Sequence, residues 1–278
     1  MTIVCNGGNI RPTGENLIVP TEIPRMQNIQ NEIKLAAREL TSLPDCVRQN
    51  VQLKILDLSH NFLGRTGDGA LCELSELRNL TRLNLSVNEL KTISLDFCSF
   101  PFLEVLCLSG NELEYLSEGI VTLHRLRRLL CDFNHMKCLP LDWSMLISLT
   151  TLSLSNNHLE EIPTTIWTLQ NLEILNLQRN RISTIGPLPE GAACRLKELR
   201  LAENRLSGSL DLSLLVNLTY LDVSHNDLED IEVSKLSKLE YLVVSQNVLK
   251  SLNLDGAKLR SLEADENDLE VVFCKQLP

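Results

Sequence analysis

The sequence predicts an α/β solenoid, a curved horseshoe with a parallel sheet on its concave face and short helical, 3-10 or irregular returns on its convex side. Three observations carry this. A nine-residue pattern, LxxLxLxxN, recurs ten times at nearly constant spacing. Aromatic residues make up only 4% of a chain that is 44% hydrophobic, so the core has to be built from stacked aliphatic layers. The second half of each unit commonly reads LxxLPxxIxxLxxL, as in HLEEIPTTIWTLQNL at 158 to 172.

The matches begin with LKILDLSHN (53 to 61), LTRLNLSVN, LEVLCLSGN and the degenerate LRRLLCDFN (126 to 134). They continue through LTTLSLSNN, LEILNLQRN, LKELRLAEN, LTYLDVSHN, LEYLVVSQN and LRSLEADEN. Their asparagines, Asn61, Asn88, Asn111, Asn134, Asn157, Asn180, Asn204, Asn226, Asn247 and Asn267, lie 27, 23, 23, 23, 23, 24, 22, 21 and 20 residues apart.

The LxL alternation is the period of a short strand with its leucines on one face. One strand per unit gives a parallel sheet. The asparagine falls where the chain leaves the strand, and its amide both donates and accepts, so a column of asparagines can satisfy a column of buried turns. Each unit buries its apolar face only against its neighbours.

The pattern extends one unit upstream. Arg38 stands 23 residues before Asn61, with Ile33, Leu35, Leu40, Leu43 and Pro44 at the right offsets. Residues 29–52 therefore read as a degenerate first repeat, and residues 1–28, rich in Gly, Pro and Asn, as an N-terminal tail or cap. The repeat domain runs from 29 to 278, with ten repeats from residue 53. The last is incomplete: Leu269 and Val272 open a further unit, and no polar closing helix follows. An uncovered apolar layer is expected there, and with it a continuing chain or a pairing partner.

These residues identify the chain as a member of the leucine-rich-repeat superfamily over about 29 to 272. Units near 23 residues with LP or IP in the second half resemble the short intracellular subclass. Toward the C-terminus, LKSLNLDGAKLRSLEADEN resembles the repeat region of the PH-domain leucine-rich-repeat protein phosphatases. That resemblance implies an intracellular signalling role in which the solenoid recruits a component of a kinase or phosphatase pathway. No PH or phosphatase domain is recognisable in the chain, so activity is not carried over.

A net charge of -10 disfavours polyphosphate and anionic membrane surfaces. No apolar run reaches bilayer-spanning length and no secretory signal is visible. The nine cysteines are odd in number and never spaced CxxC, which reads as reduced thiols in a cytoplasmic protein. Phosphate-loop, dinucleotide, serine-hydrolase and zincin motifs are absent. The three sequons at Asn79, Asn84 and Asn217 follow from the repeat's own preference for Asn, Leu and Ser or Thr. No catalytic residue, cofactor, metal or small-molecule ligand is expected, and the partner is a protein rather than a nucleic acid. A scaffold binding protein on its concave face is the leading expectation. The recruiting segment of a phosphatase and a receptor ectodomain are the alternatives.

The residues between the buried leucines encode that partner. In the third, fifth and eighth columns of the repeat, Val105, Cys107, Arg128, Leu130 and Phe133 come together as an apolar patch with one arginine. In the competing reading, LLCDFN is a distorted repeat that tucks Phe133 into the core. Tyr220 and Tyr241 fall at equivalent positions beside Val243, either as binding anchors or as a cross-strand pair that stabilises the sheet. Arg179 and Arg200 complete the candidate set. Glu263, Asp265, Glu266, Asp268 and Glu270 form an acidic run that either meets a basic partner or, as such runs more often do, forms a solvated face. Cys107 and Cys131, in adjacent strand segments, are either close enough to oxidise or ordinary packing residues.

Overall fold

The computed structural model describes residues 31–66, 69–93 and 95–273; the expected tail or cap at 1–28 lies outside them. In chain order the strands are β1 (Glu32–Lys34), β2 (Ile55–Asp57), β3 (Arg82–Asn84), β4 (Val105–Cys107), β5 (Arg128–Leu130), β6 (Thr151–Ser153), β7 (Ile174–Asn176) and β8 (Glu198–Arg200). They continue as β9 (Ser207–Asp211), β10 (Tyr220–Asp222), β11 (Asp227–Glu232), β12 (Tyr241–Val243), β13 (Ser251–Asn253), β14 (Ser261–Glu263) and β15 (Val271–Phe273).

Strands β1 to β8, β10, β12 and β14 form one parallel sheet of eleven, each pairing with the strand of the next repeat in unbroken register. The central leucine of nearly every strand is buried, from Leu56 to Leu252, and with the leucines of the returns these form one continuous core. The aromatic residues that do enter it fill returns. Trp143 and Trp167 are fully buried, and their indole N–H groups donate to Pro140 O at 2.7 Å and Ile185 O at 3.1 Å. β1, 23 residues ahead of β2, pairs with it through Glu32 and Ile55, so the degenerate unit with Arg38 joins the sheet.

Every asparagine of the series is used in the same way. The Asn157 amide donates to Leu154 O of its own turn and to Cys131 O of the preceding repeat, both at 3.0 Å, while its Oδ1 accepts from Met136 N at 3.0 Å. The same three-way link recurs from Asn61, which accepts from Arg38 N and Leu40 N, to Asn267, which accepts from Leu249 N. Among the described residues no buried side-chain polar atom lacks a partner.

The residue before each asparagine has a left-handed backbone: His60, Val87, Gly110, Phe133, Asn156, Arg179, Glu203, His225, Gln246 and Glu266 have φ between 54° and 69°. Ala37, at φ 54°, is the equivalent in the first unit. Only Gly110 adopts this geometry without cost, since a side chain there costs roughly 1 to 2 kcal/mol. The turn imposes the conformation, and the asparagine bonds hold it.

The returns change along the chain. Earlier repeats come back through 3-10 segments such as Glu118–Thr122 and Thr164–Thr168, and the longest spacing, between Asn61 and Asn88, is taken up by the short helix Gly69–Cys72 and two 3-10 turns. After Asn204, where the spacing falls to 22 residues and below, the returns begin instead with strands β9, β11, β13 and β15, which form a second parallel sheet of four. This sheet adds to the returns expected from the sequence. An extended residue advances about 3.3 Å against about 2.0 Å in a 3-10 helix, so a shorter unit spans the same layer only by extending. At the C-terminal end Leu262, Val271, Val272 and Phe273 are exposed, whereas Leu252 and Leu254 one layer earlier are buried.

Two outcomes follow for stability. Asn157→Ala leaves buried main-chain groups of two repeats unpaired and is expected to cost about 3 kcal/mol, against about 1 kcal/mol or less for Arg200→Ala at a half-exposed ion pair; matching denaturation midpoints would refute the ladder. Val87→Asn places a residue tolerant of the left-handed region at a half-exposed, β-branched site and is expected to raise stability by about 1 kcal/mol, read as a higher thermal midpoint.

Candidate protein-binding face

Third- and fifth-position side chains project from the long sheet on the side opposite the leucines. In β4 and β5, Val105 stands beside Arg128 and Cys107 beside Leu130. Cys131 takes the core position of the degenerate repeat and is fully buried, which turns Phe133 outward to 61% exposure. The fourth repeat thus keeps its register, and Val105, Leu130, Phe133 and Arg128 share one face. Its neighbour Gly110 contributes no side chain beside Phe133. Cys107 and Cys131 project from opposite faces of the sheet, and none of the seven described cysteines is joined in a disulfide. Burial first, then the Asp132 charge, raises the Cys131 thiol well above its usual pKa, which makes it a poor nucleophile.

The tyrosines of β10 and β12 are in direct register, with ring centroids 6.3 Å apart and planes tilted by 36°. The Arg200 guanidinium lies 5.1 Å from the Tyr220 ring centre, and Val243 flanks Tyr241 on the next fifth position. Burial raises the Tyr220 hydroxyl pKa, and nearby Asp222 adds to the shift. Its phenol therefore stays a neutral donor through the physiological range.

Arg179 and Arg200 are less available than the column reading implies. Arg179 pairs with Glu203 at 2.7 Å and Arg200 with Glu198 at 2.5 Å. Arg128 and Arg82, by contrast, are exposed and make no ion pair among the described residues; Arg82 flanks Val105 directly. Sequence reasoning left Arg82 out, although its third-position placement was the signal. It also missed Leu141, Met145 and Ile147, exposed by 77%, 51% and 63% on one return.

The floor between the two clusters is polar and fixed. Asp132 accepts from the Ser153 and Ser155 hydroxyls at 2.6 Å and from Ser155 N at 2.8 Å, and the Asn176 amide donates to Ser153 Oγ. Farther on, Gln178 reaches Asp222 across the intervening strand β8. Among the described residues no group of three or more His, Cys, Asp or Glu side chains is arranged to hold a metal, and no helix is long and apolar enough to cross a membrane.

Residues 51–113, 147–190 and 215–237 match leucine-rich-repeat family profiles, the second of them a two-copy profile. Over 106 residues the chain is 39% identical to an adenylate cyclase of Schizosaccharomyces pombe, covering 35% of this chain and 6% of that protein. Over 73 residues it is 37% identical to the protein phosphatase PHLPP-like protein of Drosophila melanogaster, covering 26% of this chain and 8% of that one. Over 86 residues it is 36% identical to rat lumican, covering 29% of this chain and 24% of lumican. The chain thus spans a small part of each of these relatives. Among solved structures, the functional domain of InlJ from Listeria monocytogenes superposes with a TM-score of 0.70 at 27% identity, covering 84% of this chain and 48% of that one. The leucine-rich-repeat domain of APL1B gives 0.71 at 24% identity over 88% and 72% of the two chains, a likeness of fold. Ten asparagine-linked repeats, one eleven-stranded parallel sheet and these matches together make the chain a leucine-rich-repeat protein, folded as a leucine-rich-repeat solenoid.

Proposed function

We propose that this solenoid is a non-catalytic scaffold of the cell interior that binds a protein partner across the open, concave face of its long sheet. The observation that carries the reading is the pair of apolar clusters on that face. One comprises Val105, Leu130 and Phe133 beside Arg82 and Arg128; the other comprises Tyr220, Tyr241 and Val243 beside Arg200. Large apolar and aromatic side chains held outward on a rigid sheet cost solvent exposure in the free protein, and an interface recovers it. The two clusters differ in charge. Among the described residues Arg82 and Arg128 make no ion pair, while Asp222 and Glu263 lie near the tyrosines. A partner therefore presents an acidic apolar anchor to the first cluster and a neutral or basic one to the second.

Surface thiols at Cys72, Cys98, Cys138 and Cys194 are compatible with a reducing compartment. Similarity to the PHLPP-like phosphatase supports a second reading, in which the solenoid recruits substrates for phosphatase chemistry supplied elsewhere. The two readings share the same face.

The test is affinity capture from cell lysate with the wild-type chain and a Phe133→Ala, Tyr220→Ala, Tyr241→Ala variant of unchanged thermal midpoint. A partner retained by the first and lost by the second is expected, with an affinity drop of about a hundredfold or more for the purified pair. Equal capture by both places binding on another surface and overturns the reading.

A further inference from the structure

The second sheet ends at β9, which bonds to β11 on one side and, among the described residues, has no strand on the other. The return of the sixth repeat runs alongside up to Arg205 N, which donates to Ile182 O, and then departs. Gly186 turns it at φ 69°, with its N–H spent on Thr184 Oγ1, and Pro187 and Pro189 have no N–H to offer a strand. A groove of about 390 Å³ opens between this segment and β9. Ile185 and Leu210 floor it, Leu188 and the exposed Leu214 rim it, and Ser207 and Ser209 line its edge. Asp211 is the only charged residue lining the groove. Its carboxyl is held below its usual pKa by the Ser213 N–H and hydroxyl and, more weakly, by the Lys235 charge, and it accepts from Ser213 N at 2.8 Å. On β11 beside it stand Asp227, Glu229, Asp230 and Glu232.

We propose that this groove accepts an extended peptide as an added strand on the free edge of β9, with apolar side chains at alternate positions and a lysine or arginine facing Asp211. Main-chain bonds to an unpaired strand supply affinity, and the apolar floor and single anion select the sequence. An unpaired parallel edge is otherwise a site of unwanted pairing. This site lies outside the open face of the long sheet and is independent of the function proposed for it.

A phage-displayed random heptapeptide library selected against the full chain, followed by anisotropy titration of the enriched peptide, tests this. The enriched sequences are expected to alternate apolar and polar residues with a basic residue among them. Binding is expected to fall by about tenfold with Leu214→Glu and about threefold with Asp211→Asn, which preserves the bond to Ser213, while Tyr241→Ala leaves it unchanged. Hydrogen exchange of the complex is expected to slow in residues 207–211. Failure to enrich such peptides, or equal binding to a folded Leu214→Glu variant, overturns the proposal. Protection at β10 and β12 in place of β9 overturns it too, while supporting the concave-face reading.

Discussion

The bond from each asparagine to the repeat before it is the constraint on which the rest of this structure depends. A chain leaving a three-residue strand must turn sharply, and here it does so through a left-handed residue that is glycine only at Gly110. Nine of the ten such turns place a side chain in that region, and all ten would leave main-chain groups stranded in a dry core. One asparagine amide per repeat removes the second cost and holds the first in place. Every link points the same way, toward the preceding repeat, so each unit completes its neighbour and stability grows by stacking. Because the ladder and the leucines carry the fold, the third and fifth positions are free to vary in chemistry.

Repeat length then sets what lies on the other side of the coil. Units of 23 residues or more have enough chain for a 3-10 segment or a turn, and those of 22 or fewer meet the same layer thickness only by running extended. The second sheet is a consequence of this shortening, and its first strand is necessarily an edge. The 24-residue unit before it ends in a segment of glycine and prolines that cannot pair with that edge. A change of repeat class within one solenoid thereby creates a groove that uniform repeats would not have.

Much of this was legible in the sequence. The strand positions, the asparagine partners and the register follow from LxxLxLxxN, and β1 appeared where the spacing put it, despite Arg38. The outward turn of Phe133 was undecidable by pattern alone, since it depends on whether Cys131 occupies the core position that leucine holds elsewhere. The pairing of Arg179 with Glu203 was available by reading the eighth column across adjacent repeats, because strand-to-strand spacing makes such residues neighbours. The strands of the short repeats were hidden for a different reason. SGSLD and DLEDIE carry too little apolar alternation to signal a strand, and only the length of the coil requires one.

Rigidity gives the two anchor clusters a consequence that composition does not. From β5 to β10 there are four strand spacings, about 19 Å, fixed by the hydrogen-bond repeat of the sheet. The intervening floor from Asp132 to Asn176 is tied by bonds of 2.6 to 3.2 Å, so it does not rise to meet a ligand. A single partner engaging both clusters has to bring its own anchors to that separation. A helix does so with side chains about 13 residues apart, an extended segment with side chains about six residues apart. A flexible partner has to pay the entropy of holding the distance, whereas the sheet fixes the spacing of its own anchors and loses only their side-chain freedom, which favours partners whose anchors are already set on a folded element.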